Sequence, residues 1–311
     1  MLWKCTAKSS KPISVLDVSG DALIQVVVSG LTLGAMYAVS AIGLALLWGT
    51  LGMLNMAQGA LLAIGGYVSF AAVSLVGFPW FFGLPASIVA GILIGLLFYH
   101  LIVRWMFRGE RFEMNIIIAT VSIAIIVENV LIKIFTAYPK KQPFFVEGGM
   151  RIQGILLPNQ TLLIIGISIV LTIWLAWLLT YTRMGRAIRA TAQNQDAAQL
   201  VGISTSRVYI HVLIVASVIA SVSGTLLTSV TLLSPHVGHD PMLKAFITCA
   251  IAGLGNIPGA VFAAIILGLF ESAIQYLVGA SYGFPAMLAL VIVALIWRPY
   301  GVFGRSRVTR G

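Results

Sequence analysis

Stretch after stretch of this chain runs for the length of a membrane-spanning helix almost without charge: residues 23–48, 60–76, 84–103, 115–135, 161–180, 208–233, 245–278 and 284–297. About twenty apolar residues cross a hydrocarbon core. In lipid every backbone N–H and C=O must be paired internally, which leaves only helices and closed barrels. These runs are continuously apolar and do not alternate, so a barrel is a poor alternative. The sequence predicts an all-α, polytopic integral membrane protein with about eight membrane segments. With 59% hydrophobic and 9% charged residues in 311, a soluble surface could not be covered.

Placement of the charges sets orientation. Arg104, Arg108 and Arg111 lie in one short loop, Arg183, Arg186, Arg189 and Arg207 bound another, and Arg298, Arg305, Arg307 and Arg310 lie at the end. All three regions are expected in the cytoplasm. The connection 136–160 is then external, although it carries Lys140, Lys141 and Arg151. The net charge of +10 is therefore read as membrane topology rather than a nucleic-acid face. The expected organisation is an N-terminal extension (1–20), a transmembrane domain (21–304) with a cytoplasmic loop at 181–208, and a basic cytoplasmic tail (305–311). Lys4, Lys8 and Lys11 favour an inside amino terminus, whereas one crossing each for 23–48 and 60–76 puts it outside. Residues 1–20 lack the compact apolar core of a cleavable signal. Cys5 and Cys249 make neither a disulfide framework nor a metal pattern.

Two apolar regions are interrupted. "GTLGMLNMAQGA" (49–60) and "AGLGNIPGAV" (252–261) each place an asparagine shortly before a Gly-Ala pair: Asn55 with Gly59 and Ala60, Asn256 with Gly259 and Ala260. Non-helical backbone at membrane depth is tolerated only where protein buries it or a polar path needs it. Broken segments in two halves point to a transport path. Broken or re-entrant helices are therefore expected near 49–60 and 253–259, the second turning within the membrane so that an even number of crossings leads from loop 181–208 to the tail. Asn55, Gln58, Gly59, Gly253, Gly255, Asn256, Pro258 and Gly259 are candidates for lining the path. Small residues four apart, Gly30 with Gly34 and Gly91 with Gly95, suit close helix packing.

Ionisable groups inside the apolar windows are the next candidates. Glu128 falls roughly 20 Å along its helix, inside the hydrocarbon region, and is a functional candidate by default, with a neutral or hydrogen-bonded structural acid beside Asn129 as the equal alternative. Lys133 can snorkel outward. Glu271 is read as a structural acid near an interface, and His100 and His211 as interfacial. In "HVGHD", His236 and His239 with Asp240 have the spacing of metal ligands but read more simply as a polar external loop. Asp240 and Lys244 are expected to pair at the start of the next helix. Four histidines and nine acids offer no HExxH, GxSxG or phosphate loop, so an intramembrane enzyme lacks its groups. A stand-alone ion-coupled carrier, with Glu128 as coupling site, stays open.

The segment "YTRMGRAIRATAQNQDAAQLVGISTSRV" (181–208) reads as one slim helix from Met184 to Leu200, closed by Gly202, with Ser204 or Thr205 capping the next span. It resembles the ATPase-coupling loop of importer permeases through Arg183, Gly185, Arg186, Arg189, Ala190, Ala198, Gly202 and Arg207. Residues 30–70 are similar to the signature of the smaller permease subunit of branched-chain amino acid ABC importers, including Leu33, Gly34, Tyr37, Gly43, Gly52, Asn55, Gly59, Gly66 and Tyr67. Lys244, Gly253, Gly255, Asn256, Pro258, Gly259, Gly268 and Glu271 match a third motif of that family. The resemblance covers about residues 21–304. It departs at Gln58 and Ala60, where many members carry a histidine and an acid.

The resemblance implies an importer half in the bacterial cytoplasmic (inner) membrane. The partners it implies are a second homologous permease, two cytoplasmic ATPases docked on loop 181–208, an extracytoplasmic solute-binding protein and the lipid bilayer, with no nucleic acid. ATP and Mg would be used by the ATPases and no cofactor held by this chain. Branched-chain or other hydrophobic amino acids are the expected solute, with urea, short amides and organic acids as the family's alternatives. In this reading "GLGNIPG" lines or gates the path opposite Asn55 and Gln58.

Overall fold

The computed structural model describes residues 20–106, 112–142, 148–152, 155–299 and 301–304. Arg108, Arg111, the extension before Gly20 and the tail from residue 305 lie outside the described residues. The helices are α1 (Gly20–Leu51), α2 (Gln58–Phe70), α3 (Gly83–Phe98), the short α4 (Arg104–Met106), α5 (Phe112–Phe135), α6 (Asn159–Tyr181), α7 (Arg183–Gln193), α8 (Gln195–Leu200), α9 (Thr205–Thr228), α10 (His239–Ala252), α11 (Ile257–Leu277) and α12 (Gly283–Trp297). Wide π-helical turns extend α2 over Ala71–Leu75 and α3 over Tyr99–Val103. Eight helices among the described residues are long and apolar enough to cross a membrane. The polytopic helical architecture is thus the one expected. A small antiparallel hairpin, β1 (Gly149–Ile152) with β2 (Ile155–Pro158), is added in the connection before α6.

Glycine spacing decides which helices touch. A Cβ on Gly30 or Gly34 would lie 2.8–2.9 Å from the α11 backbone at Leu269 or Ile265, and Gly268 meets α1 in return. Gly91 and Gly95 bring α3 equally close to Val218 and Ile214 of α9. These contacts make α1 antiparallel to α11 and α3 antiparallel to α9. Apolar driving force between helices vanishes in lipid, so close backbone approach and dispersion carry the packing. The most buried helices are α2 and α9, while α5, α6 and α12 stand at the edge with broad apolar faces exposed.

The bundle has two chemically different ends. Arg104, Arg183, Arg186, Arg189, Arg207 and Arg298 gather at one, and Lys133, Lys140 and the β-hairpin mark the other. Gly20 starts α1 at the hairpin end, so the first described residue lies away from the arginines, as the crossing count for 23–48 and 60–76 had it.

The breaks differ from expectation in an instructive way. After α1 ends at Leu51, residues 52–57 turn back into the bundle before α2 begins at Gln58. After α9 ends at Thr228, the chain pairs Leu233 with Lys140 at the hairpin end and turns inward over 234–238 before α10 begins. The counterpart of 52–57 is therefore 229–238, entering from the opposite end, and not the Gly253–Gly259 region. α10 has only 14 residues, about 21 Å, and completes a crossing that its preceding loop begins. Four passes, α9 to α12, then join loop 181–208 to the tail, so parity is met without a turn at mid-depth. "GLGNIPG" instead forms the tight connection between α10 and α11 at the arginine end. Gly253 and Gly255 take φ of 88° and 87° there, backbone that L side chains rarely adopt.

The crossing of α2 and α9 gives a direct test. A Cβ on Gly224 would overlap the Leu62 carbonyl. Gly224→Leu is expected to abolish folded protein in membrane extracts, because backbone and not a movable side chain stands in the way. Gly166→Leu on α6, with no atom within 4 Å of its Cβ, is expected to fold as the parent does, read by size-exclusion profile in detergent.

Candidate functional site

At mid-bundle the starts of α2 and α10 meet. Gly59 and Gly238 pack backbone on backbone, so closely that a Cβ on either would strike the other's carbonyl. The extended chain leading to α2 is held by two side chains. Asn55, 2% exposed, accepts from the Ala57 N–H through Oδ1 at 3.0 Å, and the Met56 N–H donates to Thr120 Oγ1 of α5 at 3.1 Å. Gln58 is fully buried beside Gly43, and neither its amide oxygen nor its nitrogen meets a protein partner among the described residues. A buried unsatisfied polar atom costs about 1–3 kcal/mol.

A cavity of about 240 Å³ opens beside this junction between Met56, Gly59, Ala60, Val121, Ala124, Ile125, Glu128, His239, Met242 and Leu243. Glu128, on α5, reaches two histidines of the α9–α10 turn. Its carboxylate lies 3.4 Å from His236 Nδ1 and in direct contact with His239 Nε2. The sequence singled out both parts, Glu128 and the histidine pair, but nothing in it links positions more than a hundred residues apart.

A second polar cluster ties three helices together. Glu271 of α11 is 1% exposed, and Lys244 of α10 holds it at 2.7 Å. Tyr37 of α1 donates its hydroxyl to Glu271 at 2.6 Å and accepts from Lys244 at 2.8 Å; Gln275 donates at 3.1 Å. Glu271 is thus a buried, fully paired structural acid late in α11. Lys244 turns to it and not to Asp240, because α10 runs alongside α1 and α11 and presents Lys244 inward. Lys244, Asp240 and Tyr37 border a cavity of about 780 Å³ on the hairpin side. Lys133 is exposed, as are His100 and His211, each bonded to a carbonyl one helical turn earlier.

The 181–208 segment is two helices, not one. Thr182 caps α7 through Gly185 N–H at 2.9 Å, and Asn194, in extended conformation, breaks the helix and caps α8 through Ala197 N–H at 3.0 Å. Asn194 competes with the backbone for those bonds, so it ends one helix and starts the next. Gly185, Ile188 and Thr191 form the buried face of α7 and Ala198 that of α8, while Arg183, Arg186, Arg189 and Arg207 point out. Gly202, at φ 84°, closes the segment as expected, and Ser204 precedes α9 without a side-chain cap bond. Leu200 and Val201 are left 89% and 76% exposed at the tip.

The structure does not bring Asn256 to Asn55 and Gln58. Asn256 caps α11 through Gly259 N–H at 3.0 Å and donates to the Phe303 carbonyl at 2.9 Å. Gly255 lies against Gly49 at the end of α1. Together with Pro258 they line a cavity of about 500 Å³ whose far wall is Ile188, Arg189 and Ala192 of α7. The expected path residues therefore fall into two places. Asn55, Gln58, Gly59 and Glu128 are at mid-bundle. Gly253, Gly255, Asn256, Pro258 and Gly259 are beside the 181–208 segment.

The buried ion pair is testable. Lys244→Met should destabilise the chain by about 3–5 kcal/mol, because it leaves a buried carboxylate unpaired. Lys244→Met with Glu271→Gln should recover most of the loss. Thermal unfolding of the purified chain in detergent reads both.

Comparison with known proteins follows the same outline. The family described as branched-chain amino acid transport system, permease component, matches residues 26–302. The high-affinity branched-chain amino acid transport system permease protein BraD of Pseudomonas aeruginosa is 28% identical, covering 92% of this chain and 97% of its own. The corresponding permease protein LivH of Escherichia coli K12 is 30% identical, with 92% and 97% covered. A probable branched-chain amino acid permease of Methanocaldococcus jannaschii is 29% identical over 85% of this chain and 87% of its own. No solved structure matches the chain.

Proposed function

This chain belongs to the branched-chain amino acid transport permease family, and on that premise we propose that it forms one half of the membrane path of an ATP-driven amino acid importer. It is a multi-pass membrane permease, not an enzyme. In the proposed assembly a second homologous permease completes the path in the cytoplasmic (inner) membrane. Two ATPases bind the arginine end and use ATP and Mg there, and an external binding protein delivers solute at the hairpin end.

The observation that carries the solute reading is the mid-bundle junction. Helix starts concentrate unpaired N–H groups and a positive dipole end, which suit a carboxylate. Here two of them, α2 and α10, converge beside a carboxylate, Glu128, which suits an ammonium. Met56, Val121, Ile125, Met242 and Leu243 supply an apolar wall of a size for an aliphatic side chain. Urea or an organic acid would leave either the wall or Glu128 without a counterpart, so a branched-chain or other hydrophobic amino acid is the better fit.

Coupling follows from the other place. Ile188 of α7 packs in one apolar cluster with Leu47 and Leu51 of α1, and Ile257 and Val261 of α11 pack against that cluster. A tilt of α7 and α8 by closing ATPases is thereby passed to the Gly253–Gly259 turn and to α1, switching access from one end to the other. Leu200 and Val201 are the apolar tip an ATPase groove would receive.

Co-purification in mild detergent tests the assembly: a second permease and two ATPases should accompany the tagged chain. Leu200→Asp with Val201→Asp should weaken ATPase association about tenfold or more while the chain stays folded. Glu128→Gln should reduce leucine uptake about tenfold in vesicles containing the intact assembly. A chain that purifies alone and moves solute alone under a proton gradient would replace this reading with the ion-coupled carrier.

A further inference from the structure

We propose that Glu128, His236 and His239 form a site for a divalent transition-metal ion of the zinc type, joining α5 to the turn before α10. Two imidazoles three residues apart and one carboxylate from another helix supply one ligand atom each, all within 4.8 Å of one another. Imidazole and carboxylate together select zinc-like ions over magnesium or calcium, which require oxygen cages. An ion bound at about 2.0–2.1 Å in tetrahedral geometry spaces its ligands roughly 3.3 Å apart. The 3.4 Å between His236 Nδ1 and Glu128 Oε2 already has that spacing. The contact between His239 and Glu128 has to open to that spacing when an ion enters.

His236 also borders the cavity of about 780 Å³ on the hairpin side, which gives an ion a way in. The side chains of His236 and His239 are 62% and 60% exposed, and that of Glu128 14%. Three protein ligands leave a fourth position open, the arrangement of exchangeable rather than sealed structural sites. His239 is the first residue of α10 and His236 lies in the turn that Val237 N–H closes on Ser234 O at 3.0 Å, so both rings are carried on ordered backbone.

The consequence is mechanical. α5 is packed on the bundle chiefly through α2, whereas the α9–α10 turn is bound to the hairpin end. An ion across them clamps the peripheral helix to the inward-turning segment. It also occupies Glu128, so metal and solute would compete for one carboxylate. The metal site itself does not depend on the transport reading, since its ligands are defined by geometry alone.

The test is direct metal binding by the full chain in lipid nanodiscs, purified through a tag other than polyhistidine. Titration with Co²⁺ should give one ion per chain and the intense visible bands of four- or five-coordinate cobalt, removed by equimolar Zn²⁺. His236→Ala, His239→Ala and Glu128→Gln should each weaken binding by about 10–100-fold or more. His100→Ala and His211→Ala, at the arginine end, should leave it unchanged. His236 sits in an exposed turn, so its variant keeps the test valid if Glu128→Gln fails to fold. Absence of stoichiometric binding, or equal binding by folded His236→Ala and His239→Ala chains, overturns the site and leaves the importer reading untouched.

Discussion

Everything in this fold answers to one requirement: backbone hydrogen bonds that helix geometry does not satisfy must be satisfied inside the protein. Where α1 and α9 end, the chain turns back into the bundle as non-helical backbone. Lipid cannot hydrate it. Asn55 and Thr120 supply the missing bonds at the first re-entry, and pairing of Leu233 with Lys140 anchors the second. The first re-entry is largely buried and the second is buried at Leu233, Pro235 and Gly238, where glycines let the two segments close to backbone contact. The packing and the broken helices are one problem with one solution.

The re-entries place polar chemistry where a plain bundle has none. Two helix starts meet at Gly59 and Gly238, with the Glu128 carboxylate beside them. A membrane interior makes such groups costly. The Lys244, Glu271 and Tyr37 cluster is a different case. Its charges are paired and hydrogen-bonded on every side, and it binds α1, α10 and α11 into a unit. Breaking it is costly, and keeping it stabilises little beyond that.

Between the two places runs a continuous apolar contact. The α7 face of Ile188 reaches the end of α1 and the beginning of α11, and the chain end straps that turn through Val302 N–H on the Ile251 carbonyl at 2.6 Å. Motion applied at the 181–208 segment therefore has a packed route to α1 and α11, the helices that carry Tyr37 and Glu271. Interfaces of this kind switch between discrete packings rather than deform smoothly.

The sequence by itself determined the class, the spans and the end at which the arginines gather, because uncharged length and charge placement are local properties that a bilayer reads directly. It also marked the 181–208 segment, Glu128 and the interruption after α1, each visible as a residue type out of keeping with its neighbours. It paired the wrong interruptions. Gly253–Gly259 looks more broken in composition, with glycines at positive φ, yet it is an ordinary tight turn at the bundle end; the true partner of 52–57, residues 229–238, carries little that marks it. The division of α7 from α8 is also local, since Asn194 competes with the backbone for the bonds at Ala197, although the alanine-rich run around it reads as one helix. Only the tertiary structure decided that Glu128 meets His236 and His239 and that Lys244 turns to Glu271 and not to Asp240. Both join residues far apart in the chain through the relative placement of helices. Neither is written in any window of the sequence, because each is set by what packs against it.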